Sequence, residues 1–363
     1  MNDWKTMTEI LDNTPVPVGA ISHDGIVDLR SDTVTRPTDA MWEAMKTATL
    51  RDDTLEGDPT VALLEHEAAL TLGKEGALFV CSGTMGNTIA TLVHAPRGGE
   101  AIVDAHAHMA HSEGGALSRL AGLFCRMVPS TRGEMDLAVL ADVARGGFSR
   151  YGEPTAIIAV ETTHNASGGY VPSMHYMQGI ASLGAERGIA IHIDGARLFN
   201  AAVALRQPVS ALAGCADSVT FCLSKGLGAP MGAILAGDAD FILRARTLRR
   251  QVGGGLRQAG IMAAAGLVAL REMPARLQED HDRAHRLWNG LAHTNRIERD
   301  DIAPQSNIVR LRVPDGRAEA YCQRLATAGI LVRANGAHAI RVVTHRHVTN
   351  AGIDQAIHAF RAL

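Results

Sequence analysis

Ile189-Ala-Ile-His-Ile-Asp194 is a short apolar run that stops on a carboxylate, and Gly195-Ala-Arg197 follows at once. Its length suits a strand buried on both faces. Four more runs share the pattern: Ala77-Leu-Phe-Val-Cys81, Glu100-Ala-Ile-Val-Asp104, Thr155-Ala-Ile-Ile-Ala-Val-Glu161 and Ser218-Val-Thr-Phe-Cys222. Helix-length segments separate them, so this part of the chain reads as an α/β unit built on a mainly parallel sheet with both faces covered. Each run ends in polar or ionisable residues: Ser82-Gly83-Thr84, Asp104 to His108, Thr162 to Asn165, Asp194 to Arg197, and Ser224-Lys225. Ligands of open α/β sheets sit beyond the carboxyl ends of the strands, so these groups are expected to converge on one cleft.

Outward from that sheet, residues 27–270 are expected to form the large domain. Residues 271–363 form a smaller α+β domain, with a charged helical region, strands at Ser306–Val313 and Ala339–Val343, and a terminal helix capped by Thr349. Residues 1–26, ending in the loop-like Asn13-Thr-Pro-Val-Pro17, read as an N-terminal extension. Neither internal repeats nor low-complexity tracts occur.

The chain has 363 residues, 46% hydrophobic and 20% charged, with a formal net charge of -3. That length favours two domains. The charge excludes the concentrated basic face that a nucleic-acid or anionic-membrane partner requires. The basic stretch Arg244–Arg250 reads as a solvated helix face or a subunit contact. Five scattered cysteines form no Cys-x-x-Cys pair, which argues against a disulfide framework or a zinc site. The beginning of the chain lacks a signal-like apolar region and no long apolar run occurs, so a cytoplasmic protein is expected.

Lys225 closes an apolar strand and is followed by Gly226-Leu-Gly228. A lysine there is costly unless it is paired or converted to an imine, although a strand-end surface lysine would look the same. Asp194 is open to a second reading too, as a helix N-cap. Together, an imine-forming lysine and a carboxylate for a pyridinium nitrogen are what pyridoxal phosphate (PLP) requires. Cys81-Ser-Gly-Thr-Met-Gly-Asn87 is expected to open a helix whose N-terminus suits the phosphate, and Ser-Gly-Thr is also an ordinary turn. Of 16 histidines, His108 and His164 stand out because both follow strand ends that face the cleft. His106, His108 and His111 have no partner with convincing metal-ligand spacing, so no metal is expected.

These segments resemble the low-specificity L-threonine aldolase family of fold-type I PLP enzymes, in the aspartate-aminotransferase superfamily. The likeness runs from about Val27 to Val343. Its motifs are Asp28-Leu-Arg-Ser-Asp-Thr-Val-Thr-Arg-Pro37, Ser82-Gly-Thr84, Glu161-Thr-Thr-His-Asn165, His192-Ile-Asp-Gly-Ala-Arg197, Leu223-Ser-Lys-Gly-Leu-Gly228, Gly253-Gly-Gly-Leu-Arg-Gln258 and Ile340-Arg-Val-Val-Thr-His345. The resemblance implies that Lys225 is the Schiff-base lysine, with Ser224 beside it, and that Asp194 partners the pyridinium. Ser82, Gly83 and Thr84 hold the phosphate, and Arg257 reaches it from an adjacent subunit. His108 stacks on the ring. Ser31, Arg197 and Arg341 surround the substrate carboxylate or the cofactor hydroxyl. His164 contacts the substrate β-hydroxyl and is the expected base.

The implied reaction is retro-aldol cleavage of L-threonine, L-allo-threonine or related L-β-hydroxy-α-amino acids to glycine and an aldehyde. Two other readings stay open: another PLP reaction (transaldol transfer, β-elimination or transamination) and a catalytically silent PLP-fold binding protein. The family likeness also implies a homo-oligomer with shared sites, a dimer at least and a tetramer by preference. The sequence departs from the family at Leu55-Glu56-Gly57, where a tyrosine usually precedes the glycine, and at Met109-Ala-His-Ser112, which lacks the usual aromatics. Both departures predict a wider side-chain pocket and bulkier substrates.

Overall fold

A computed structural model describes residues 25–147, 152–292, 294 and 296–363. The extension expected at residues 1–26 lies almost wholly outside the described residues. Seven strands form the central sheet: β1 (Gly76–Val80), β2 (Glu100–Asp104), β3 (Phe124–Val128), β4 (Thr155–Glu161), β5 (Ala190–Gly195), β6 (Ser218–Cys222) and β7 (Ala233–Gly237). Their order is β1-β7-β6-β5-β4-β2-β3. The pairs β6–β5, β5–β4, β4–β2 and β2–β3 are parallel, while β7 runs antiparallel to both of its neighbours. The mainly parallel sheet read from the sequence is therefore present, with two added strands.

Both faces are covered, which is why the strands carry unbroken apolar runs. Along β1, Ala77 and Phe79 pack into the largest apolar cluster, and Leu78 and Val80 into a second cluster on the opposite face. β5 sends Ile191 and Ile193 to the first face and His192 to the other. Local signals set the helix ends. Asp58 accepts the Thr60 and Val61 N–H groups and Pro59 opens the helix Pro59–Leu72, which Gly73 ends in the left-handed region at φ 65°.

A second sheet holds β8 (Glu298–Arg299), β9 (Ile308–Arg312), β10 (Arg333–Ala334) and β11 (Ala339–Val343), in the order β8-β9-β11-β10 and antiparallel throughout. The helices Leu277–Gly290 and Asn350–Arg361 pack beside it around a separate apolar cluster, and Thr349 caps the latter through the Gly352 N–H. The start of the described chain joins this unit: Val27–Asp28 pairs in parallel with Ile330–Leu331, and Leu29 accepts the Val343 N–H at 2.9 Å. From there the chain passes Ser31 and Asp32 into the cleft between the two sheets.

Candidate active site

A cavity of about 450 Å³ opens where the carboxyl ends of β4, β5 and β6 face the second sheet. Lys225, His108, Arg197, Arg341, Ser31 and Glu161 line it, so residues from five sequence motifs meet in one place.

Lys225 stands just past β6, behind the fully buried Leu223. The following turn needs Gly228, whose φ is +79°. Among the described residues no carboxylate forms an ion pair with Lys225. A half-buried amine in a cavity with no ionic partner is poised for covalent chemistry.

Asp194 lies one residue from the end of β5 and is buried, and among the described residues its Oδ1 accepts only the Ala196 N–H, at 3.3 Å. On the neighbouring strand its Cα partner is Glu161, which accepts the His108 N–H at 2.6 Å and the Asn165 N–H at 2.8 Å. Burial, and then the Asp194 carboxylate, push the Glu161 carboxyl above its ordinary value.

Behind His108 runs a buried polar chain. Glu113 Oε1 meets His108 Nδ1 at 3.0 Å and accepts Asn87 Nδ2 at 2.9 Å. Asn87 Oδ1 meets His192 Nε2 at 3.1 Å, and Ser218 Oγ lies 2.8 Å from His192 Nδ1 and 2.7 Å from His94 Nε2. Burial lowers His192 to about 3 and His94 to about 4, so both imidazoles are neutral near pH 7. The donor directions then follow: His192 donates from Nε2 to Asn87, Asn87 donates to Glu113, and His108 carries its proton on Nδ1. The hydrogen bond that Glu113 accepts from it raises His108 above its ordinary value. His108, Glu113 and Asp194 place one ligand atom each within 4.8 Å of one another, a spacing that would also suit a cation. Glu113 Oε1, however, is already satisfied by two N–H donors.

Asp32 was not singled out from the sequence, yet it anchors the opposite wall. It is fully buried and takes Arg197 bidentately, with Nε to Oδ2 at 2.7 Å and Nη2 to Oδ1 at 2.6 Å, and Asn307 Nδ2 adds a third donor at 3.2 Å. Burial opposes its ionisation, but Arg197, with help from Lys225, holds it down at about 2. Ser31 keeps its Oγ at the cavity and accepts the Thr33 N–H. Arg341 donates to Asn165 Oδ1 at 2.7 Å and has no ion pair among the described residues.

Ser82, Gly83 and Thr84 lie at the start of the helix Gly83–His94, whose first N–H groups have no intrahelical acceptor and suit an anion. A Cβ at Gly83 would fall 2.9 Å from Cys222 Sγ, so the missing side chain lets this helix end close on β6. An amine without an ionic partner, a buried carboxylate and this cradle are the groups PLP requires, and the residues present fit it.

His164, Ser224, Arg257 and Leu55 lie outside the lining of this cavity, as do Asp194, Ser82, Gly83 and Thr84. His164 is only 1% exposed, with Nε2 2.9 Å from Asp104 Oδ1 and Nδ1 2.8 Å from Ser167 Oγ. Both ring nitrogens of His164, the base expected from the sequence, are thus engaged within the protein. Ser224 is half-buried beside Lys225 but outside the cavity lining. Arg257 is 61% exposed beside Asp52 and does not reach this chain's own cavity. Leu55 is 83% exposed and does not line the cavity, so its departure from the family leaves this wall unchanged, whereas Ser112 does line it. Glu113 was missed because nothing near it in the sequence marks a partner for His108.

The two-unit architecture and its cleft are those of the fold-type I PLP enzymes. The fold matches a putative L-allo-threonine aldolase from Listeria monocytogenes with a TM-score of 0.79 at 20% identity, covering 94% of this chain and 97% of that one. It also matches the threonine aldolase of Leishmania major, with a TM-score of 0.80 at 16% identity, covering 92% and 98%. Residues 28–314 match the family model described as Beta-eliminating lyase, and the chain belongs to that family. It is 43% identical to low-specificity L-threonine aldolase 1 of Arabidopsis thaliana over 92% of this chain and 95% of that protein. It is 39% identical to the low specificity L-threonine aldolase of Escherichia coli O157:H7 over 93% and 99%.

Proposed function

We propose that the protein is a PLP-dependent aldehyde-lyase that cleaves L-threonine, L-allo-threonine or related L-β-hydroxy-α-amino acids to glycine and an aldehyde. The observation that carries this reading is Lys225, an amine with no ionic partner in the same cavity as Arg197 and Arg341. The names of the relatives support the same reaction. When bound, PLP accepts the electron pair released as the Cα–Cβ bond breaks.

The chain's own residues do the rest. Lys225 would hold the cofactor, with Ser224 beside it, Asp194 would take the proton-bearing ring nitrogen, and Ser82, Gly83 and Thr84 would hold the phosphate. Ser31, Arg197 and Arg341 fix the α-carboxylate, so that the bond to Cβ is the one presented for cleavage. Asp32 keeps Arg197 in place. His108 lines the cavity and would stack on the bound cofactor, and its Nε2, left free once Nδ1 donates to Glu113, is better situated than His164 to take the β-hydroxyl proton.

Residues 27–270 are read as the cofactor domain and 271–363 as the small domain, with Val27–Leu29 strapped to the latter. The enzyme is a homo-oligomer, at least a dimer and by preference a tetramer. Arg257, exposed and away from its own cavity, supports this because it can serve a phosphate only in a neighbouring subunit. So do Leu120, Phe124 and Met127, exposed along and beside the edge strand β3. No described helix is long and apolar enough to cross a membrane. The five unpaired cysteines support a cytoplasmic setting.

The test is aldehyde release from L-threonine and L-allo-threonine by the holoenzyme, coupled to NADH oxidation by alcohol dehydrogenase, with glycine counted in parallel. Equal glycine and aldehyde, both abolished in Lys225→Ala together with the visible cofactor band, are expected. A cofactor band with ammonia and a 2-oxo acid in place of aldehyde would move the reaction to β-elimination. No turnover of any β-hydroxy amino acid would leave a silent binding protein.

A further inference from the structure

Across the second sheet, Arg341 on β11 has Arg333 of β10 as its Cα partner on one side and Arg310 of β9 on the other. Residues directly opposite in an antiparallel ladder share a face with Cβ atoms about 5 Å apart, and like charges so placed destabilise the sheet. Among the described residues none of the three has an ion pair, and the Nε atoms of Arg310 and Arg341 are buried without an acceptor. Arg310 turns toward a neighbouring small pocket with Ser167 and Gly168, whereas Arg333 and Arg341 both line the active-site cavity.

The guanidiniums lining this cavity outnumber the one carboxylate that every α-amino acid brings. Arg197 is already neutralised by Asp32. Arg341 and Arg333 remain, neither with an ion pair among the described residues, and an α-carboxylate engages one of them. Consistent with that surplus, burial, then Arg197, and also Arg333 bring Arg341 down to about 10. Asn335, two residues beyond Arg333, adds a neutral donor on the same wall.

We propose that Arg333 is a specificity residue that binds a second anionic group on the substrate side chain, so that the preferred substrate is a β-hydroxy-α-amino acid carrying an acidic β-substituent. This rests on the aldolase reading above. With β-hydroxyaspartate the step balances without any further reactant: the Cα–Cβ bond breaks, the β-hydroxyl gives up its proton and becomes the carbonyl of glyoxylate, and Cα takes a proton to become glycine. Arg333 is exposed on a short edge strand, so replacing it leaves both cores intact.

The experiment compares kcat/KM of the holoenzyme and of Arg333→Gln for L-threonine and for the threo and erythro forms of L-β-hydroxyaspartate, with glycine counted throughout. The wild type is expected to favour one of the diacids. Arg333→Gln is expected to lose about 10- to 100-fold on that diacid, the range for a charge-assisted contact, with threonine changed less than about twofold. A wild type that cleaves threonine as well as or better than either diacid overturns the proposal, as does an equal loss on both substrates in the variant. Glycine from none of these substrates overturns the aldolase reading itself, and the proposal with it. An unchanged cofactor band and melting temperature in Arg333→Gln show that the comparison reads the contact and not the fold.

Discussion

Glu113 Oε1 lies 3.0 Å from Nδ1 of His108 and fixes which ring nitrogen faces the cavity. Because Asn87 donates to the same oxygen, and His192 in turn to Asn87, that preference is held by a chain extending through the sheet face to Ser218 and His94. A tautomer set this way is a property of the fold and not of the histidine alone.

Replacing Glu113 by Gln removes the charge that raises His108, so its pKa falls. A base works in its neutral form, and the acid limb of the kcat/KM profile therefore moves to lower pH. Histidine NMR titration of the apo-protein gives the same shift independently of turnover. An unmoved limb together with an unmoved His108 titration would remove the link between the two residues.

His164 is expected to be a positioning residue for the fold. Substituting it with Ala leaves Asp104 buried without its ionic partner, at a cost of about 3–5 kcal/mol. Urea unfolding should show this loss, and the protein that remains folded should keep most of its kcat. A variant of full stability with kcat reduced a hundredfold or more would return His164 to the catalytic role.

Asp32→Ala strands the buried guanidinium of Arg197. About 3–5 kcal/mol of stability is expected to go with it, and KM for the amino acid should rise because Arg197 is no longer held at the cavity. Asp32→Asn, which keeps the shape and loses the charge, should retain more stability than Ala. Equal stability in wild type and both variants would contradict the structural role.

Acid should weaken the protein well before its carboxylates titrate. His94 and His281 are lowered to about 4 and His192 to about 3, whereas an unfolded histidine titrates near 6.5. Between pH 6.5 and about 4 the unfolded chain binds these protons and the folded one does not, so stability falls as pH falls. Each group adds a slope of up to about 1.4 kcal/mol per pH unit. His108 and His164, both raised, work the other way, but they are protonated in both states below about pH 6.5 and add no slope there. Urea midpoints measured at pH 7, 6 and 5 should decline, and the decline should be shallower in His192→Asn. A flat profile would contradict the neutral state of these buried rings.

What the sequence alone determined was the set of strands and the chemistry at their ends. Apolar β-branched runs announce a buried strand locally, and Lys225, Asp194 and Arg197 follow such runs directly, so their arrival at one cleft follows from the sheet. Two strands escaped that reading for local reasons: Phe124–Val128 is an edge strand with exposed Phe124 and Met127, and Ala233–Gly237 is short and rich in small residues.

Only the tertiary structure decided between two histidines that look equivalent in the chain. His108 and His164 both follow strand ends. At His164, however, the backbone folds back through bonds with Tyr170 and Gly169, and the ring turns inward to Asp104. Nor does any local rule pair Asp32 with Arg197, 165 residues away, or set Arg333 opposite Arg341. Those relations come from strand register and from the seating of one sheet against the other. Burial then sets their consequence, because a charge taken out of water must find its partner wherever the chain places one.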